Sequence, residues 1–313
     1  MRAFVFPGQG AQAVGMGKAL ADAYPQAAAV FAEVDDALSE PLSRLIWEGD
    51  ADTLQLTRNA QPALMATSLA ALRALEAEGV PLTAAAYVAG HSLGEYSALC
   101  AAGSFSVADA ARLLRLRGEA MQAAVPVGQG AMAALLGLDF DAASRVAEEA
   151  QAGGGVCQAA NDNDPAQVVV SGSREAVERA VEIAKARGAK RALLLPVSAP
   201  FHSRLMQPAA DAMRDALAQV EIRDPQVPLI ANVSAGPVQD AEAIRDLLVR
   251  QVTGSVRWRE SVSWMEAAGV VEAWEIGAGK ALSGMIRRTA PTIAVRTVGT
   301  PEEARAAAAS LHP

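Results

Sequence analysis

Cysteine is scarce in this 313-residue chain: there are two, Cys100 and Cys157, and they form no CxxC pair. That excludes a disulfide framework and a cysteine zinc site, and it reads as a reducing, cytoplasmic setting. Basic charge is in deficit, with 27 Lys and Arg against 35 Asp and Glu and a formal net charge of −8. A nucleic-acid footprint over the whole surface is excluded, although a local basic patch is not. Long apolar runs are missing too. Residues 79–108 hold one formal charge, Glu95, but Pro81, Gly90, Ser92, Gly94, Gly103 and Ser104 break them up. A membrane span is a more continuous stretch of ~20 apolar residues, so this segment reads as buried core. The opening "MRAFVFPGQGAQ" is interrupted at Pro7–Gly8 and makes a poor signal peptide. No internal repeat, low-complexity tract or long linker occurs, and Gly279–Lys280 lacks the glycine spacing and following Ser/Thr of a Walker A loop.

What is present is globular: 51% of residues are hydrophobic and 20% charged. The length suits one large domain, or a large one carrying a smaller one. Residues 2–6 read as a short buried strand, 61–78 as a helix with Pro62 near its first turn, 85–90 as a strand and 93–102 as a helix. Ser106 opens a longer helix to about Val125, with Asp109 in capping-box position. From Gly130 the rhythm changes to strand (131–138), helix (141–151), strand (156–160), strand (167–172), helix (174–187) and strand (191–196). That β-α-β-β-α-β order is ferredoxin-like. Strands near 228–231, 271–276 and 293–298 then return to α/β alternation. The expected architecture is an α/β-hydrolase-like catalytic domain with a parallel sheet, residues 1–126 and 198–313. A ferredoxin-like subdomain, 127–197, is inserted in it, and a crevice lies between them.

The stretch "AGHSLGEYSAL" (89–99) places Gly90-x-Ser92-x-Gly94 between a strand and a helix. In that context the pattern describes a tight elbow that holds a serine in a strained conformation and projects its hydroxyl above the sheet. The N–H of Leu93 at the helix start can then face an oxyanion, helped by the helix dipole. A glycine-bracketed turn whose serine only caps the helix is the plainer alternative. A serine needs a base, and the chain offers three histidines. His91 adjoins Ser92 and is expected to point away from it; His312 is penultimate, where termini fray. His202, in the loop "PVSAPFHSRLM", is the candidate base.

In the helix "VADAARLLRLRGEAMQAA" Arg117 falls at the centre of the apolar face, among Ala110, Leu113, Leu114, Ala120, Met121 and Ala124. A buried guanidinium keeps its proton and needs an acidic partner. A protein carboxylate could serve; so could a substrate carboxylate held in bidentate fashion. The basic run Lys185, Arg187, Lys190 and Arg191 is either a solvated helix end or a contact for phosphates of a carrier or coenzyme.

Taken in order, "FPGQGAQ" (6–12), "NAQPAL" (59–64), "GHSLGEYSAL" (90–99), "RLRGEAMQ" (115–122), "GAMAALLG" (130–137), "NDNDPAQVVVSG" (161–172), "PVSAPFHS" (196–203) and "EIGAGKALSGM" (275–285) resemble the malonyl-CoA:acyl-carrier-protein transacylases of fatty-acid synthesis, end to end. The resemblance implies Ser92 as the acylated nucleophile, His202 as its base, and the backbone N–H groups of Gln9 and Leu93 as the oxyanion hole. It implies Arg117 as the malonyl carboxylate clamp, with Gln61, His91 and Met121 as further substrate-binding neighbours. It also implies a main-chain carbonyl within 250–258 that orients the histidine, although Gly254–Ser255 stands where the family pattern has Asn–Pro. The expected reaction is ping-pong transfer of malonyl from malonyl-CoA to the phosphopantetheine thiol of acyl carrier protein. No metal and no cofactor are expected, no nucleic acid and no membrane, and a monomeric enzyme. A polyketide or malonate-decarboxylase acyltransferase shares these motifs. A serine thioesterase or esterase shares the elbow but usually adds an acid, a late histidine and an HGGG-type loop. Gly8-x-Gly10-x-x-Ala13 after the first strand formally fits a dinucleotide fingerprint, but Pro25 and the helical look of 27–38 oppose it.

Overall fold

The computed structural model describes residues 1–197 and 199–311. Its ten strands are β1 (Arg2–Phe6), β2 (Tyr87–Gly90), β3 (Gly130–Leu136), β4 (Cys157–Asp164), β5 (Gln167–Ser173), β6 (Arg191–Leu194), β7 (Leu229–Ile230), β8 (Pro237–Val238), β9 (Glu272–Ile276) and β10 (Ala294–Val298). One sheet has the order β10-β9-β1-β2-β7-β8, parallel except for β8. β1 lies inside it and is buried on both faces. Phe4 and Phe6 enter one apolar cluster, Ala3 and Val5 the other, which follows from helices covering both sides of a parallel sheet.

The second sheet, β4-β5-β3-β6, is antiparallel, and all its strands fall within 130–194. The helices Phe140–Ala152 and Arg174–Ala186 pack on it around a separate core that includes Leu135, Val146, Val168, Val170 and Val177. The fold is thus α/β with a parallel-rich core sheet and a separate antiparallel one, in agreement with the expected class.

Several element bounds differ from the sequence reading. The helix expected from 61 runs Thr57–Ala77, with Pro62 inside it. Proline removes the N–H that would bond the carbonyl of Arg58; Arg115 Nη1 donates to that oxygen at 3.0 Å and relieves the break. β2 starts at Tyr87 rather than 85. β4 continues to Asp164 instead of stopping at 160. Its polar end is buried because the other sheet's side of the molecule supplies partners. Val256 N donates to Ala160 O, Asp162 N to Val256 O, and Arg259 and Arg288 pair with Asp162 and Asp164. The helices Lys18–Ala23, Leu42–Glu48 and Ala51–Gln55, and the two-residue β8, had no clear sequence signal.

Candidate active site

β2 ends at Gly90 and the next helix is Gly94–Ala101, so Ser92 sits in a three-residue bend. Its φ is +55°, in the left-handed region that L-residues avoid. The flanking glycines make the bend possible. A Cβ on Gly90 would lie 1.9 Å from the backbone of Gly94, and one on Gly94 would lie 2.3 Å from the carbonyl oxygen of Phe6. Asn232 holds the elbow from behind: its Oδ1 accepts from Ser92 N (2.8 Å) and its Nδ2 donates to Gly90 O (2.6 Å). The strain is therefore built into the backbone and offset by a side-chain lock.

His202 also has φ +55° and is buried. Its Nε2 lies 2.7 Å from Ser92 Oγ. Its Nδ1 faces two carbonyl oxygens, Gln251 O at 2.9 Å and Gly254 O at 3.1 Å. Carbonyls only accept, so Nδ1 carries the proton and Nε2 is left as the acceptor for the serine O–H. Burial first, and the charge of Arg117 second, hold this histidine down to about 3. The imidazole is therefore held in its neutral form near neutral pH. Both orienting carbonyls come from the 250–258 segment, and the Gly254 substitution leaves its carbonyl in place because any residue has one.

Arg117 is 1% exposed. Its Nη1 donates to Gln61 Oε1 (2.7 Å), and its Nη2 to Gln251 Oε1 (2.8 Å) and Ser92 Oγ (3.2 Å). No carboxylate of the described residues forms an ion pair with it, in contrast to Arg115, which pairs with Glu40 at 2.7 Å. Its direct hydrogen-bond partners are thus neutral groups, an arrangement that can receive an anion. Close packing delivers it there: a Cβ on Gly118 would come within 2.6 Å of Arg58 Cα, so only glycine lets the two helices meet.

Gln61 belongs to a short relay. Gln61 Nε2 donates to Thr57 Oγ1, and Thr57 Oγ1 donates to Gln9 Oε1, both at 2.9 Å. Met121 Sδ lies 3.8 Å from Gln61 Nε2. Gln9 is exposed, and among the described residues the backbone N–H groups of Gln9 and Leu93 bond no protein acceptor. His91 turns to Asn163 Oδ1 (2.8 Å) and packs against Trp258, as its predicted direction required. His312 lies outside the described residues. Lys185 and Arg187 are occupied by Glu182 and Glu149, which favours the solvated-helix reading for that half of the basic run. Among the described residues no group of three or more His, Cys, Asp or Glu could hold a metal ion, and no helix is long and apolar enough to cross a membrane.

Three residues of the site escaped the sequence reading: Asn232, Gln251 and Glu95. Gln251 Nε2 donates to Ser92 O (2.9 Å) and to Glu95 Oε2, while its Oε1 accepts from Arg117 and its carbonyl from His202. One glutamine thereby touches Ser92, His202 and Arg117. Glu95 left a trace, as the lone charge in residues 79–108; Asn232 and Gln251 left none.

The chain matches the acyl transferase domain family over residues 3–289. It is 47% identical over 300 residues to the malonyl CoA-acyl carrier protein transacylase of Bacillus subtilis (strain 168), covering 96% of this chain and 94% of that protein. The chain belongs to the malonyl CoA-acyl carrier protein transacylase family. Among solved structures it is similar to the acyl-carrier-protein-S-malonyltransferase of Bartonella henselae, with a TM-score of 0.97 and 58% identity over 100% of this chain and 99% of that one. A malonyl-transacylase in complex with its type II polyketide acyl-carrier protein gives a TM-score of 0.95 and 43% identity, each chain 99% covered. Membership of the transacylase family agrees with an elbow serine, a neutral histidine at hydrogen-bond distance from it and a buried guanidinium gathered at one point.

Proposed function

We propose that the protein transfers malonyl groups from malonyl-CoA to the phosphopantetheine thiol of acyl carrier protein, for fatty-acid synthesis in the cytoplasm. His202 Nε2 takes the Ser92 proton as Oγ attacks the thioester carbonyl. The N–H groups of Gln9 and Leu93 receive the developing oxyanion. Coenzyme A leaves with the proton, and malonyl stays as a Ser92 ester with its carboxylate on Arg117. The carrier thiol then attacks the ester, His202 taking its proton and returning it to Ser92, in a ping-pong cycle. One thioester replaces another, so the protein's work is orientation, charge stabilisation and exclusion of water. The scheme calls on no cofactor, since the coenzyme A thioester is a substrate, and every side chain in it comes from one chain. In this reading residues 127–197 form a small subdomain that borders the crevice, with 1–126 and 198–313 as the catalytic domain; Gln61 and Met121 line the acyl pocket, whereas His91, turned to Asn163 and Trp258, does not.

The observation that carries the proposal is Arg117: fully buried, without a carboxylate of its own, and 3.2 Å from the hydroxyl that stands 2.7 Å from its base. Intact-mass analysis after mixing with malonyl-CoA tests it. The expected result is one malonyl adduct on the native chain and none on Ser92→Ala. An adduct that persists in Ser92→Ala refutes it.

A further inference from the structure

Glu95 is 1% exposed and lies directly behind the elbow. Its Oε2 accepts from Gln251 Nε2, and its Oε1 accepts from Asn232 N at 3.4 Å. The charged and titratable groups that face it are Arg117 from the Val107–Ala123 helix and Tyr96 from its own helix. His202 is connected to it only through Gln251. Among the described residues no ion pair joins Glu95 to Arg117; the Gln251 amide stands between them, its nitrogen on the carboxylate and its oxygen on the guanidinium. The resting site therefore holds one buried cation and one buried anion, in balance through a single amide.

A malonyl ester on Ser92 brings a second carboxylate to the same cation. Two buried anions against one guanidinium leave a net negative charge where little water can screen it, and the less costly outcome is that one carboxylate takes a proton. The acyl carboxylate would meet Arg117 directly, whereas Glu95 meets it at one remove. We propose that Glu95 takes up one proton from solvent when malonyl is loaded onto Ser92, yielding Arg117 to the acyl carboxylate. Glu95 thereby keeps the charge of the closed site constant, and it is a positioning residue through Gln251 rather than a reacting group. This rests on the malonyl-ester reading above.

The resting carboxyl is suited to the task. Burial raises it to about 7, against the lowering effect of the Gln251 bond, the Asn232 N–H and Arg117. An acyl carboxylate on Arg117 offsets the last of these and moves Glu95 higher still. The ester exchange itself moves no proton to or from solvent, because the serine proton ends on the coenzyme A thiol. Any uptake is therefore extra and can be counted. The sign follows from linkage. Below the resting value Glu95 is already protonated and loading is independent of pH; between the resting and loaded values, each unit of rising pH costs up to about tenfold in the loading equilibrium.

A pH-indicator stopped-flow experiment near pH 7.8 in weak buffer, with esters counted by intact mass on the same sample, tests the proposal. The native enzyme is expected to take up close to one proton per malonyl ester, and Glu95→Gln, which carries a fixed neutral side chain, close to none per ester formed. Ester formation without uptake, or undiminished uptake in Glu95→Gln, overturns the proposal. If Glu95→Gln does not fold, the loading equilibrium of the native enzyme decides: a several-fold fall from pH 7 to 8 supports it and a flat profile overturns it. Absence of any ester would instead refute the parent reading.

Discussion

Replacing Arg117 by alanine separates malonyl binding from acyl transfer in general. The guanidinium donates to Gln61, Gln251 and Ser92 Oγ, and is 1% exposed, so a substrate carboxylate would meet it almost without solvent. Each charge-assisted hydrogen bond contributes about 1.5–3 kcal/mol, and a buried pair that loses one partner costs about 3–5 kcal/mol. At about 1.4 kcal/mol per tenfold, Arg117→Ala should lower kcat/KM for malonyl-CoA by roughly 10²- to 10⁴-fold. Acetyl-CoA has no carboxylate to lose, so its loading should fall far less, by no more than the loss of the Ser92 and Gln251 hydrogen bonds costs. Steady-state transfer to carrier protein, measured for both acyl donors, gives the ratio. Lysine at the same site keeps the charge but not the planar fork, so Arg117→Lys should fall between. Equal losses for malonyl and acetyl would refute the reasoning, since they would show Arg117 acting on the nucleophile and not on the acyl group.

Three further outcomes follow from the geometry. Gly90→Ala should abolish soluble folded protein, because its Cβ would sit 1.9 Å from the Gly94 backbone; a folded, active variant detected by circular dichroism and loading would contradict the elbow. Arg259→Ala removes the partner of Asp162, which is 0% exposed and paired at 2.8 Å. It should cost about 3 kcal/mol, seen as a lowered Tm, and an unchanged Tm would count against the junction between the two sheets. His202 is held down to about 3 by burial, and a histidine whose folded value is lowered stays neutral as pH falls through its ordinary range. The burst rate of acyl-enzyme formation in Glu95→Gln should therefore show no inflection near pH 6.5; a titration there would mean that the histidine is solvated.

Local grammar was legible where the backbone itself imposes it. The Gly90–Ser92–Gly94 spacing and the Ser106–Asp109 capping box each reflect a short-range steric or hydrogen-bonding need and appear at their expected places, and the β-α-β-β-α-β order holds although β4 runs on to Asp164. Arg117 was legible because helical period alone put a cation on an apolar face. The 57–77 helix was misjudged at its start because the remedy for Pro62 comes from Arg115, 53 positions on in sequence from the proline, and no local pattern announces it.

By itself the sequence singled out Ser92, His202 and Arg117 and the local bends that present them, since a glycine-flanked serine, a loop histidine and a cation on an apolar helix face are all local features. Only the tertiary structure decided how they are held. Gln251 reaches Ser92 across 159 positions and Glu95 across 156, and Asn232 reaches Ser92 across 140. Uncharged amides have no periodicity or charge to mark them, and their roles arise only when folding brings a donor and an acceptor within about 3 Å of each other.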